Sequence, residues 1–273
     1  MNENEIIFSD INKGTDSFMN LTLSELNQYL PALRKSDDIY KDKEKLDDGL
    51  FLTDVVDGLS RLPDKSIDLI IANPPSNLFF VKNKSKTNMT LNEYYQWNKN
   101  WLAQSKRILK STGAIYLFCD WKKSSMYHSF LGQYFFVQSR ITWKKQFGLD
   151  LTNSKGWKNV ISDIWFATNS EEFLFNGEVI NSKIDSNYSE SEKINFWSDI
   201  FGKDNLQKVN DEIPSEVIER IFDVSSFKLS WIVDPFVNYG LTGVIAKKMG
   251  RRFIGFDTEQ DRLLMAMKRI DKT

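Results

Sequence analysis

The chain has 273 residues, 41% of them hydrophobic and 27% charged, with a net charge of −1, one cysteine and one histidine. That content suffices for one large α/β domain, and with no run of about 18 apolar residues it excludes a membrane-spanning helix. A lone Cys119 and a lone His128 leave no internal disulfide, Cys-based metal site, zinc site or His-based nucleophile relay. Both are expected to be structural, and no metal is expected.

Met1 to Asp10 lacks the basic-then-apolar layout of a secretion signal, so a cytoplasmic location is expected. Residues 1–47 read as a polar N-terminal extension, with a helix-like stretch in "LTLSELNQYL" and an exposed connection in "KSDDIYKDKEKLDD". From residue 48 the pattern changes. "GLFLTD" is a short apolar strand, "VVDGLSRLP" a short helix closed by Pro63, and "SIDLIIA" a buried, parallel-type strand. "LNEYYQWNKNWLAQSKRILK" places Leu91, Tyr94, Tyr95, Leu102, Ile108 and Leu109 roughly on one helical face. "STGAIYLFC" supplies a turn and another buried strand, and His128 falls in "MYHSF" on a helix. "SRITWKK" and "DIWFAT" are strands around a Gly/Asn/Lys-rich loop, "QFGLDLTNSKGWKN". Residues 176–215 are polar and weakly patterned, and support no assignment. The end is regular again: helix "SEVIERIFDVS", strand "WIVDPF", helix "TGVIAKKMG", strand "RRFIGFD" and helix "EQDRLLMAMKRI". Alternating strands and helices imply a doubly wound sheet covered on both faces.

The near-zero net charge conceals a strong asymmetry. Residues 82–160 carry 14 Lys/Arg against 3 Asp/Glu, whereas residues 161–230 carry 6 against 14. A basic block of this kind suggests a surface that faces a polyanion, although an ordinary solvated lysine face has the same composition. Trp97, Trp101, Trp121, Trp143 and Trp157 interleave with or follow those charges, and aromatics among basic residues can stack bases.

Two loops carry candidate chemistry. In "WIVDPFVNYGLTGVIAKKMGRRFIGFD" a strand enters a Gly-containing turn, then a helix, then a strand ending in Asp257. Such a βαβ corner suits a ligand with a negative group at the helix start, and an acid about 20 residues on can accept ribose hydroxyls. A plain corner without ligand fits the spacing equally. In "DLIIANPPSNLFF" a strand stops at Asn73-Pro74-Pro75-Ser76. Consecutive prolines stiffen the turn and remove backbone donors while their carbonyls remain acceptors. A carboxamide oxygen and a proline carbonyl could together hold both hydrogens of an exocyclic amine. A capping Asn before a Pro-Pro kink is the plainer alternative.

The order "GLFLTDVVDGLSRLPDKSIDLIIANPPSN", "WLAQSKRILKSTGAIYLF", "ITWKK", "WKNVISDIWFATNSEEFLFN" and "DPFVNYGLTGVIAKKMGRRFIGFD" resembles the DNA amino-methyltransferases. These are the adenine-N6 and cytosine-N4 enzymes of restriction–modification systems. The resemblance is to the β-type order, with the catalytic motif before the cofactor motif, and covers residues 48–273. It implies a Rossmann-like, S-adenosylmethionine-dependent methyltransferase fold with residues 144–215 as an inserted target-recognition region. Asn73, Pro74, Pro75 and Ser76 match the catalytic motif. Asp234, Phe236, Asn238 and Gly240 fall on the cofactor loop, Asp257 on the ribose-binding acid, and Asp54 on an acid near the adenosine. DNA is the implied substrate, its target base flipped into the pocket. Lys82, Lys84, Lys86, Lys144, Lys145, Lys155 and Lys158 are the candidate DNA contacts.

Three positions depart from the family pattern. Ser76 stands where the family has an aromatic ring that stacks on the base. Asn238-Tyr239-Gly240-Leu241 replaces Gly-Ser-Gly-Thr, and "NDEIPSE" keeps only the proline of a His-Pro-Thr-Gln-Lys-Pro segment. Asn tolerates left-handed backbone better than most residues, which suits Asn238 to its position. Two main readings follow: an active DNA amino-methyltransferase of either base, or a non-catalytic subunit. The latter would bind DNA or a partner methyltransferase, as a homodimer or heterodimer. A methyltransferase of RNA or a small amine is a third.

Overall fold

The computed structural model describes residues 21–42, 44, 46–75, 79–82, 85–144, 161–179, 194–200 and 213–273. The strands are β1 (Arg34–Lys35), β2 (Gly49–Leu52), β3 (Ile67–Ala72), β4 (Phe79–Lys82), β5 (Ser85–Asn88), β6 (Leu109–Cys119), β7 (Phe136–Lys144), β8 (Ile161–Thr168), β9 (Phe196–Trp197), β10 (Trp231–Asp234) and β11 (Arg252–Asp257). The helices are α1 (Leu23–Tyr29), α2 (Val55–Arg61), α3 (Leu91–Ile108), α4 (Trp121–Tyr134), α5 (Ser215–Ser225), α6 (Leu241–Lys248) and α7 (Gln260–Asp271).

Nine strands form one sheet in the order β1-β2-β11-β10-β3-β6-β8-β7-β9, and β4 and β5 form a separate hairpin. The run from β1 through β6 is parallel, while β8 is antiparallel to both β6 and β7. The unbroken apolar run of β3 is explained by burial on both sides. Ile70 and Ala72 join a cluster with Leu59, Trp101, Leu102 and Phe130 from α2, α3 and α4. Leu69 and Ile71 join the opposite cluster, with Ile218, Phe222, Ile245 and Leu263 from α5, α6 and α7. The period of two along a strand splits one hexapeptide between two cores.

The expected strands and helices are present where the structure describes them, with three differences. Leu91 and Tyr95 are exposed, so the buried face of α3 runs through Tyr94, Asn98, Trp101, Leu102, Ser105 and Ile108. Polar Asn98 is tolerated there because its amide donates to the Tyr94 carbonyl and accepts from the Trp101 indole. Leu109 belongs to β6, which starts before the expected turn at "STG" and continues through it. The region read as a charged connection contains buried Ile39 and Leu46. In the same N-terminal portion, β1 extends the sheet by pairing with β2, and α1 is tied to α7 through Glu25–Lys268 and Tyr29–Asp271. Residues 161–168, within the segment expected to read the target, form the mostly buried strand β8.

Candidate active site

β2, β11, β10 and β3 are parallel neighbours, so four sequence-distant loops leave one edge of the sheet side by side. They carry, in order, Asp54, Asp257, Asp234 with Phe236, and Asn73. The register pairs Ile232 with Leu69 and Val233 with Ile70, which aligns the start of the Asp-Pro-Phe loop with the start of Asn-Pro-Pro. From β3 the chain proceeds to β6 on one side, and from β10 to β11 on the other. The two loops therefore flank the point where the winding reverses, the usual ligand crevice of an open α/β sheet.

The cofactor-type loop is held from inside. Asp234 is 5% exposed; its Oδ1 accepts from the Phe236 amide at 2.9 Å, and its carboxylate also takes the Thr242 hydroxyl. Burial outweighs those bonds and pushes its pKa up to about 6. An acid with a raised folded pKa keeps its proton longer in the native state. The stability it contributes is therefore full below about pH 4 and lost as pH rises through about 6, on the order of 3 kcal/mol in total. We expect urea unfolding of the wild type minus that of Asp234→Asn to show this decline between pH 4 and 7. A pH-independent difference would refute it.

Asn238 adopts φ 51° and Gly240 φ 81°, two left-handed residues that turn the chain sharply into α6. The Asn thus takes the conformation that its side chain tolerates best after Gly. A Cβ on Gly240 would lie 2.7 Å from the Ala266 Cβ, so glycine also lets α7 lie directly against the turn. Asp257 is 8% exposed. Its Oδ2 accepts from the Asn238 amide at 3.1 Å, and its Oδ1 from the Glu259 amide and the Arg262 guanidinium, both at 2.8 Å. Burial nevertheless raises its pKa. Arg262 also reaches the Asn238 side chain at 3.4 Å, bracing loop and acid together. Asp54 is exposed, and its Oδ1 caps α2 by accepting from the Val56 amide at 2.8 Å.

Beside this loop, the ring of Phe236 packs 5.3 Å edge-on to Trp101 and 5.6 Å from Trp97. Trp97 in turn stacks on Tyr94 at 5.7 Å, and the Tyr94 hydroxyl donates to the Pro75 carbonyl at 3.2 Å. Pro74 is buried, Asn73 half-buried and Pro75 exposed. Sequence reasoning missed Arg262, Tyr94 as a loop contact, and Tyr127. A basic residue five positions after the acid was the only signal for the first, and none marked the other two.

The other expected residues divide into two groups. Lys82 and Lys86 lie on the β4–β5 hairpin that follows the Asn-Pro-Pro turn. Lys144 ends β7, which runs parallel to β6 and so finishes at the same edge as Asn73. Ser76, Lys84, Lys145, Lys155 and Lys158 lie outside the described residues. Trp121 opens α4 directly after β6 at this edge; it is 56% exposed, with the Lys122 ammonium 6.0 Å from its ring. Cys119 is buried with its thiol pushed up to about 12 by burial, matching the expected inert core residue. His128 is an exposed residue whose ring lies on Trp165 at 4.7 Å. Among the described residues, no group of His, Cys, Asp and Glu could hold a metal, and no helix is long and apolar enough to cross a membrane.

Residues 67–268 match the family model described as DNA methylase, of the N6/N4 methyltransferases. The chain belongs to that family. Among its relatives, this DNA methylase chain is 29% identical over 239 residues to the type II methyltransferase M.HpaI of Haemophilus parainfluenzae, covering 83% of this chain and 75% of that protein. It is 26% identical over 245 residues to the type II methyltransferase M2.DpnII of Streptococcus pneumoniae, covering 78% and 85%. Its fold matches the cytosine-N4-specific PvuII DNA methyltransferase with a TM-score of 0.67 at 16% identity, over 87% of this chain and 88% of that one. It also matches a Thermus thermophilus DNA modification methylase, TTHA0409, in complex with S-adenosyl-L-methionine, with a TM-score of 0.61 at 17% identity, over 82% and 94%. The Rossmann-like methyltransferase architecture expected from the sequence is therefore present.

Proposed function

We propose that this DNA methylase is an active, S-adenosylmethionine-dependent methyltransferase acting on the exocyclic amine of adenine or cytosine in DNA. The observation that carries the reading is the adjacency of the Asn-Pro-Pro and Asp-Pro-Phe loops at one switch point. The residues present suit the cofactor. Asp257 and Asp54 offer carboxylate oxygens on neighbouring loops for ribose and adenosine groups, Phe236 offers a half-buried apolar face, and Asn238 and Gly240 make the turn at the helix start. When bound, S-adenosylmethionine supplies an electrophilic methyl group.

The Asn73 carboxamide oxygen and the Pro74 carbonyl accept the two N–H groups of the target amine. Two acceptors pull the nitrogen towards tetrahedral geometry, which withdraws its lone pair from the ring and directs it at the methyl carbon. The amine proton then leaves to water, so no side chain of unusual pKa is required. The β4–β5 hairpin, Lys144 and Trp121, all at the Asn73 edge, support a DNA-facing surface there. Lys82, Lys84, Lys86, Lys144, Lys145, Lys155 and Lys158 would meet phosphates, and an exposed ring such as Trp121 would stand in for the missing stack at Ser76. With β8 built into the sheet, target reading falls to the rest of 144–215, above all the connection 145–160.

A second reading is favoured by the Arg262–Asp257 pair, which already occupies the ribose acid, and by Ser76. In it the chain is a non-catalytic subunit that binds DNA or a partner methyltransferase. One experiment separates them: transfer of labelled methyl to DNA, combined with calorimetric titration of the protein with S-adenosylmethionine. The active reading expects label in DNA, saturable cofactor binding and DNA affinity that drops steeply with salt. DNA binding without any cofactor uptake to millimolar concentration would instead establish the subunit.

A further inference from the structure

We propose that Tyr94, backed by Tyr127, is a positioning residue that sets the catalytic Asn-Pro-Pro loop through its hydroxyl bond to the Pro75 carbonyl. The proposal rests on the methyltransferase reading given above. Two consecutive prolines fix φ at positions 74 and 75 near −65°, but leave ψ free, and ψ decides where each carbonyl points. Neither proline has an N–H with which a neighbouring strand could fix it, and β3–β6 pairing runs only to Ala72 and Leu117. The loop thus needs an outside anchor on its carbonyl side. Tyr94 provides one from 19 residues further along the chain, at 3.2 Å.

The anchor is built, not incidental. Tyr94 is 2% and Tyr127 1% exposed, and their hydroxyls are 2.7 Å apart. A phenol has one proton to donate. Because Tyr94 gives its proton to Pro75, the proton between the two oxygens comes from Tyr127, and the chain runs Tyr127 to Tyr94 to Pro75. Burial raises both phenols, so both donors stay protonated across the working range. The backbone of Tyr94 is held by the Asn98 amide on its carbonyl at 2.8 Å, and Asn98 is held by the Trp101 indole at 3.0 Å. The ring stacks on Trp97, which touches Phe236 of the cofactor-type loop. One face of α3 therefore grips both loops and fixes the amine acceptors relative to the methyl donor's side of the crevice.

Tyr94→Phe keeps the ring and removes the donor. It is expected to lower single-turnover kcat at least about tenfold, the scale of a small misplacement of reacting groups, with the KM for S-adenosylmethionine and the thermal midpoint little changed. Tyr127→Phe should lower kcat less, because Tyr94 keeps its own donor, and the double variant should be no slower than Tyr94→Phe alone. Wild-type kcat in Tyr94→Phe overturns the proposal. So does a loss shared equally by both single variants and tracking their thermal midpoints, which a packing role would give. If the wild type transfers no methyl, the activity reading fails separately, and hydrogen exchange decides the tie. Faster exchange of the Phe79–Lys82 amides in Tyr94→Phe supports it, and unchanged exchange overturns it.

Discussion

Asn73→Ala is expected to lower methyl transfer to DNA by on the order of 10²–10³-fold, the usual loss when one preorganised polar group is removed from a reacting centre. The carboxamide is one of two acceptors proposed for the amine. Without it, Pro74 alone holds one N–H, and the lone pair stays conjugated with the base. Asn73 leaves the sheet at the end of β3, whereas the cofactor-type loop follows β10, so S-adenosylmethionine affinity should be unaffected. The check is paired: labelled-methyl kinetics on saturating DNA, and calorimetric cofactor titration of the same variant. Equal losses in both would mean that the loop itself had collapsed. An undiminished rate would remove Asn73 from the chemistry.

Gly240→Ala is expected to destabilise the apo protein by about 2–5 kcal/mol. Two physical terms add. A side chain at φ 81° costs about 1–2 kcal/mol for the left-handed backbone. A methyl 2.7 Å from the Ala266 Cβ costs a further 1–3 kcal/mol or so in overpacking between the turn and α7. The two separate experimentally. Ala266→Gly in the Gly240→Ala background removes the clash and leaves the backbone penalty, so it should recover only part of the urea midpoint. Full recovery would show that the left-handed conformation carries no cost. Because the same turn presents the Asn238 amide to Asp257, cofactor affinity should fall with Gly240→Ala even under conditions where the protein remains folded.

How much of this was legible in the sequence depends on how local each feature is. "IDLIIA" read as a doubly buried strand because six apolar or half-buried residues in a row can satisfy a period of two on both faces. It does so, with Ile70 in one core and Leu69 in the other. The Asp-Pro-Phe and Asn-Pro-Pro turns were visible because prolines stop a strand by chemistry that needs no partner. The face of α3 was legible only approximately. Tyr95 looks as apolar as Tyr94, but it lies about 100° around the helix, and the sheet claims only one of them.

The sequence by itself determined the elements, their ends and the identity of the residues at those ends, since dihedral preference and periodicity act within a few residues of each position. Only the tertiary structure decided that β10 lies between β11 and β3, and hence that Asp234 and Asn73 share one crevice. The same holds for Arg262 closing on Asp257, and for the Tyr127–Tyr94–Pro75 chain. Those contacts join residues whose spacing carries no local signal. They are fixed by the requirement that a sheet bury both faces at once while every buried polar group finds a partner.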